Sequence, residues 1–161
     1  MKNKHPFLVV ALLGCALFMT SCITGMIEKE AKEKKEREIM ERPYEGLLTV
    51  YKNGNEYKFE NITCLIDKRS VFIDIPEDAE AGTSADLKIG PLNVDGYLCE
   101  IKTYDDTEAY YGNNSYSVSK FKFTFQEWTE FLRVIIDVRI DEAGLSLNYI
   151  GKADNPFHKT E

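Results

Sequence analysis

From residue 43 to residue 161 the sequence predicts an all-β domain. It reads as an antiparallel meander of about eight short strands closing as a barrel, with a β-sandwich as the alternative. Three observations predict it. From Tyr44 onward apolar residues alternate with polar ones at a period of two, the pattern of strands that bury one face. Turn residues recur between these runs, beginning with Asn53-Gly54, the strongest short hairpin signal. Helical spacing is confined to "QEWTEF", which has room for a single turn. Closure is favoured physically, because an open sheet of eight strands leaves hydrogen-bonding groups bare along its edges.

Ahead of the domain, residues 1–21 begin with Lys2, Lys4 and His5, and Phe7 to Met19 form a run of thirteen apolar or small residues. A bilayer span needs about 20 such residues, so the run matches the apolar region of an export signal; a retained N-terminal helix is the alternative. Residues 22–42 read as a spacer. Positions 28–42 hold six acids and six bases with no Pro or Gly before Pro43. Glu28–Lys32, Glu30–Lys34, Glu33–Arg37 and Glu38–Arg42 place acid before base at four-residue spacing, which favours a helix. If helical, residues 28–42 would hold the domain about 20 Å from the bilayer. Met26, Ile27, Ile39 and Met40 do not repeat in heptads, so no coiled coil is expected.

Within the domain, "YEGLLTVYKNGNEYKF" supplies two alternating runs around the Asn53-Gly54 turn. Ile62, Cys64 and Ile66 share one face of the next run, as do Val71, Ile73 and Ile75. "ADLKIGPLNVDGYLCEIKTY" reads as a short strand, a Gly-Pro turn, and a strand aligning Tyr97, Cys99 and Ile101. Phe121, Phe123 and Phe125 line up in "YSVSKFKFTF". Leu132, Val134, Ile136, Val138 and Ile140 align against Arg133, Asp137 and Arg139, with Ile135 the exception to the alternation. Gly144 marks a turn into Leu145, Leu147 and Tyr149.

"FMTSC" resembles the lipobox of bacterial lipoproteins, in which small residues lead into an obligatory Cys. Thr20 and Ser21 suit the positions before Cys22, with Met19 where Leu is usual. "LLGC", ending at Cys15, fits more loosely and would leave a shorter apolar region. The resemblance implies a diacylglyceryl thioether on Cys22, cleavage before it, and acylation of the new terminus. Two or three acyl chains anchor a protein stably where one does not. A plain export signal with Cys22 as a bystander is the competing reading. The processed chain then retains Cys64 and Cys99, which form either a disulfide in an oxidising compartment or two separate buried thiols.

A lipobox, a polar spacer and then Tyr44, Gly46, Leu48, Thr49 and Val50 opening an all-β domain together resemble the small calycin-like lipoproteins of Bacteroidetes. Many of these are known only as domains of unknown function. The likeness implies a lipocalin-related barrel in the cell envelope, lipid-anchored at the outer membrane, with either face open as its location. It carries over no catalytic residue. The Gly-x-Trp signature of lipocalins is missing, since the single tryptophan is Trp128.

Beyond Arg42 the chain holds 21 acids against 12 bases. A domain so acidic is repelled by phosphate backbones, which excludes nucleic acid as a partner. Catalysis finds little support. His158 is the only histidine after processing, and neither a zinc-protease helix motif, a nucleophile elbow nor a phosphate-binding glycine loop occurs. Asp105 with Asp106 is an acid–base pair by composition, but adjacent loop carboxylates are usually solvated. The most suggestive stretch is "TYDDTEAYYGNNSY", where Tyr104, Tyr110, Tyr111 and Tyr116 mix with Asp105, Asp106, Glu108, Asn113 and Asn114. Aromatic faces with polar tips beside short acids and amides suit a sugar or protein surface. The competing reading is a long hairpin whose tyrosines cover the barrel end. Oxygen ligands for calcium abound there, yet EF-hand spacing is absent, so neither metal nor cofactor is expected. The sequence therefore predicts a non-catalytic envelope module. It would bind a small ligand, a glycan or a protein; the alternative is a structural or assembly accessory of an envelope complex.

Overall fold

The computed structural model describes residues 6–67, 69–94 and 101–158. The chain divides into two units, one ending at Glu38 and the other starting at Ile39. Among the described residues one α-helix, α1, runs from Pro6 to Met40. The expected apolar run and spacer are thus one continuous helix. Its end is set by Pro43, since the residue before a proline is pushed out of the helical region. Three ion pairs along it take the reverse of the order singled out in the sequence. Lys29–Glu33, Lys32–Glu36 and Lys34–Glu38 lie 3.8–3.9 Å apart, base before acid. Such exposed pairs contribute a few tenths of a kcal/mol each, so the reversal changes the helix little.

Among the described residues nine strands follow: β1 (Tyr44–Lys52), β2 (Asn55–Ile66), β3 (Val71–Ile73), β4 (Leu87–Val94), β5 (Ile101–Tyr111), β6 (Asn114–Ser117), β7 (Lys120–Glu127), β8 (Phe131–Ile140) and β9 (Leu145–Asp154). All pair antiparallel in one sheet, ordered β6-β5-β4-β3-β2-β1-β9-β8-β7, which curls into a half-barrel. One sheet replaces the two that a sandwich requires. Asn53 and Gly54 both take positive φ, as a type I′ hairpin turn demands.

Four local expectations are corrected. The runs on either side of Asn61 form one long strand, β2, because Asn61 takes a left-handed φ of 57° beside an irregularity in the β1–β2 register. Gly90-Pro91 is no turn; β4 runs through it, since the missing proline N–H falls where the ladder to β5 is already broken. "YSVSKFKFTF" is split at Val118-Ser119 into β6 and β7. "QEWTEF" forms no helix; it spans the end of β7, a connection at 128–130 and the first residue of β8. The expected position of Tyr97 and Cys99 lies outside the described residues.

Twelve inward-facing side chains are fully covered. Leu48, Val50, Cys64, Val71, Ile73, Leu87, Ile89, Leu132, Val134, Ile136, Ile140 and Tyr149 have no solvent exposure. Tyr149 reaches across this interior, its hydroxyl 2.9 Å from the carbonyl oxygens of both Tyr44 and Ile62. Its ring lies over Gly151, where a Cβ would come within 2.5 Å of the Tyr149 oxygen. The Tyr44 hydroxyl donates to Ile39 O at 3.2 Å. At one end the two sheet edges meet through Val118-Ser119. The Val118 amide donates to Thr107 O of β5 at 3.4 Å, and the Ser119 amide donates to Arg139 O of β8 at 2.9 Å.

Candidate binding surface

The predicted tyrosine-rich loop is mostly strand, and its residues go to four places. Opposite Pro91 alone, β5 carries the four residues Tyr104 to Thr107, because Gly90 pairs with Glu108 and Leu92 with Thr103. The surplus is held by the buried Thr107 hydroxyl, which donates to Pro91 O and accepts from the Tyr104 amide, each at 2.7 Å. This bulge pushes Tyr104, Asp105 and Asp106 into solvent. Asn113 lies in the exposed turn after Gly112. Tyr111 leaves the surface, and Tyr116 is half-buried. Tyr111 is buried and donates to Gly82 O at 3.1 Å, and Tyr116 packs against the core. Burial raises the Tyr111 pKa. As a ligand-contacting residue Tyr111 is corrected to a structural one.

Tyr110 points outward with Glu108, and it is 44% exposed. Its hydroxyl donates to Glu108 Oε2 at 2.5 Å, and that bond raises the tyrosine pKa. The register then carries Tyr110 into company that the sequence did not signal as a site. Leu65 of β2 pairs with Phe72 of β3, Phe72 with Lys88 of β4, Lys88 with Tyr110, and Tyr110 with Ser115 of β6. These five residues form one row across the outer face. Leu65 is 45% exposed. Beside it lies a groove of about 420 Å³, floored by Met40, Leu65 and Phe72 and edged by Glu41, Asp67, Ser70 and Lys88. The signal that could have found the row was parity. Leu65 and Phe72 are apolar residues at outward positions, each between two inward-facing ones.

The groove's edge is fixed by an Asx turn. Asp67 Oδ1 accepts from the Arg69 and Ser70 amides at 2.7 and 2.8 Å. Burial pushes the Asp67 pKa up, but those amides, the Ser70 hydroxyl and the nearby Lys88 charge together hold it below the ordinary carboxylate value. Cys64, on the inner face, is a free thiol whose pKa is raised by burial; Cys99 lies outside the described residues. Cys22 falls within α1. Among the described residues no cluster of three or more His, Cys, Asp or Glu side chains is placed to hold a metal. Nor is any helix among them long and apolar enough to cross a membrane.

What the fold and site define is a class: a curled all-β domain with a packed interior and a half-apolar outer row. Comparison with protein-family models, with curated proteins and with solved structures returns no match to this chain.

Proposed function

We propose that the chain is an envelope lipoprotein of the calycin-like kind, held at the outer membrane by lipid on Cys22. Its β-domain is a non-catalytic module that docks a protein partner on the outer face of β2 to β6. The observation that carries the docking surface is the row Leu65–Phe72–Lys88–Tyr110, where large apolar groups stand in solvent beside a groove. Exposed aromatic and aliphatic anchors around a depression are the usual core of a protein interface. The covered core between β1, β2, β3, β4, β8 and β9 supports the same reading, because its fully buried side chains leave no room for a ligand among themselves. On α1, Ile23, Met26 and Ile27 follow Cys22 and are all exposed. They supply apolar surface where acyl chains would enter a bilayer. From Cys22 to Met40 the helix reaches roughly 27 Å, long enough to clear the headgroups.

Two experiments test the reading. A Cys22→Ala chain is expected to lose its lipid-dependent mobility shift and leave the membrane fraction; unchanged partitioning overturns the anchor. A photo-crosslinker at position 110 in native envelopes is expected to capture one discrete protein, and Leu65→Ser with Phe72→Ser to abolish the capture. Equal yields with and without those substitutions overturn the docking surface.

A further inference from the structure

We propose a second recognition site, for an acidic saccharide, on the outer face where β7 and β8 meet β9. It is independent of the docking row on β2 to β6. Trp128 is the most exposed aromatic side chain among the described residues, at 53%. It is not on a loose loop. Its amide donates to Phe131 O at 2.9 Å, and its carbonyl accepts from Nδ2 of the buried Asn155 at 2.7 Å. Its ring stacks on Phe131 with centroids 5.8 Å apart and planes 24° from parallel. The Lys152 ammonium sits 4.6 Å from the Phe131 centroid. The result is a fixed aromatic platform with a cation at its side, set before any ligand arrives.

Next to it are two polar atoms whose burial is unexplained. Arg133 and Gln126 are register partners on β8 and β7, and Arg133 also pairs with Lys152 on β9. Arg133 Nε and Gln126 Oε1 are withdrawn from solvent and have no hydrogen-bond partner among the described residues. A buried donor and a buried acceptor left unmet are costly and seldom kept without a use. Both side chains are half-exposed, so they stand at the surface beside the platform. Among the described residues neither Arg133 nor Lys152 makes an ion pair, although the domain around them is strongly acidic. Alternate residues on one strand face stand about 7 Å apart, which places Arg133 one sugar unit from the Phe131–Trp128 stack.

The chemistry that fits is a pyranose face on Trp128, a carboxylate between Arg133 and Lys152, and a sugar hydroxyl donating to Gln126. A hexuronate has all three groups.

The test uses the full chain in detergent micelles. Trp128 is the only tryptophan of the sequence, so its fluorescence reports this site alone. Titration with trigalacturonate is expected to give a saturable change. Arg133→Met and Lys152→Gln are each expected to weaken binding about tenfold or more, with circular dichroism confirming the fold. Neutral cellotriose is expected to bind about tenfold more weakly than trigalacturonate as well. No saturable change up to roughly 10 mM trigalacturonate overturns the proposal. So does an equal response to acetate, which marks an anion site without sugar recognition, or unchanged affinity in both variants.

Discussion

Removing one oxygen from Tyr149 is the sharpest test of how this interior holds together. The Tyr149→Phe change keeps the ring that fills the barrel and covers Gly151, so it opens no cavity. It deletes the hydroxyl poised 2.9 Å from Tyr44 O and Ile62 O, at the pairing of β1 with β2. One phenolic proton satisfies one acceptor at a time, so a single buried carbonyl loses its donor. That costs about 1–3 kcal/mol, and about 2 kcal/mol is the central expectation, a sizeable part of the roughly 5–15 kcal/mol that stabilises a domain. Near the transition it corresponds to a fall of roughly 8 °C. Urea unfolding followed by circular dichroism measures it, with the midpoint expected to drop and the slope to stay constant. A loss below about 0.5 kcal/mol would mean the carbonyls have another partner, and the role given to Tyr149 would be refuted.

The remaining expectations follow from single contacts. Gly46→Ala should prevent stable folding, since its Cβ would meet Ile150 O at 2.0 Å and backbone cannot yield; a soluble variant with a wild-type melting curve contradicts this. Thr107→Val removes both bonds that hold the β5 bulge and should cost about 1–3 kcal/mol, with faster amide exchange at residues 104–106 as its signature. Desolvation, then the hydrogen bond and repulsion from Asp74, raise the Asp86 pKa, so folding favours its protonated form. That contribution is complete below the unfolded pKa and is lost as pH rises through the folded one. Asp86→Asn should therefore raise the melting temperature slightly at pH 7 and leave it unchanged in acid below the unfolded carboxylate pKa, the gain kept small by solvent screening. Cys64 should resist thiol reagents in the native protein and react only after unfolding, because burial both covers it and raises its pKa.

Most of the strand plan could be read in advance because each face answers to one solvent. The alternation of Leu132 to Ile140 survives intact as β8, and even Ile135, the exception, has a reason. It pairs with Ile150, which pairs with Leu47, in a short apolar row on the outer face. Where reading failed, tertiary pairing overrode a local signal. Gly-Pro marks a turn only if the neighbouring ladder needs the missing donor, and here a bulge removed that need. The same bulge shifts the phase of β5, so nothing local distinguishes Tyr110, which faces out, from Tyr111, which faces in. The row Leu65–Phe72–Lys88–Tyr110 joins residues from four strands, and no window of sequence contains it.

The Val118-Ser119 junction has a consequence of its own. Neighbouring amides bond to strands from opposite margins of the sheet, so this dipeptide acts as a clasp, reinforced where the Asp141 amide donates to Ser119 Oγ at 2.9 Å. Springing it would bare the margins at β6 and β7 together, two strands each with one unpaired edge. A nick or a proline there would not simply loosen a loop. It would hand each molecule a sticky margin that fits the matching margin of another, and the chains would begin to polymerise.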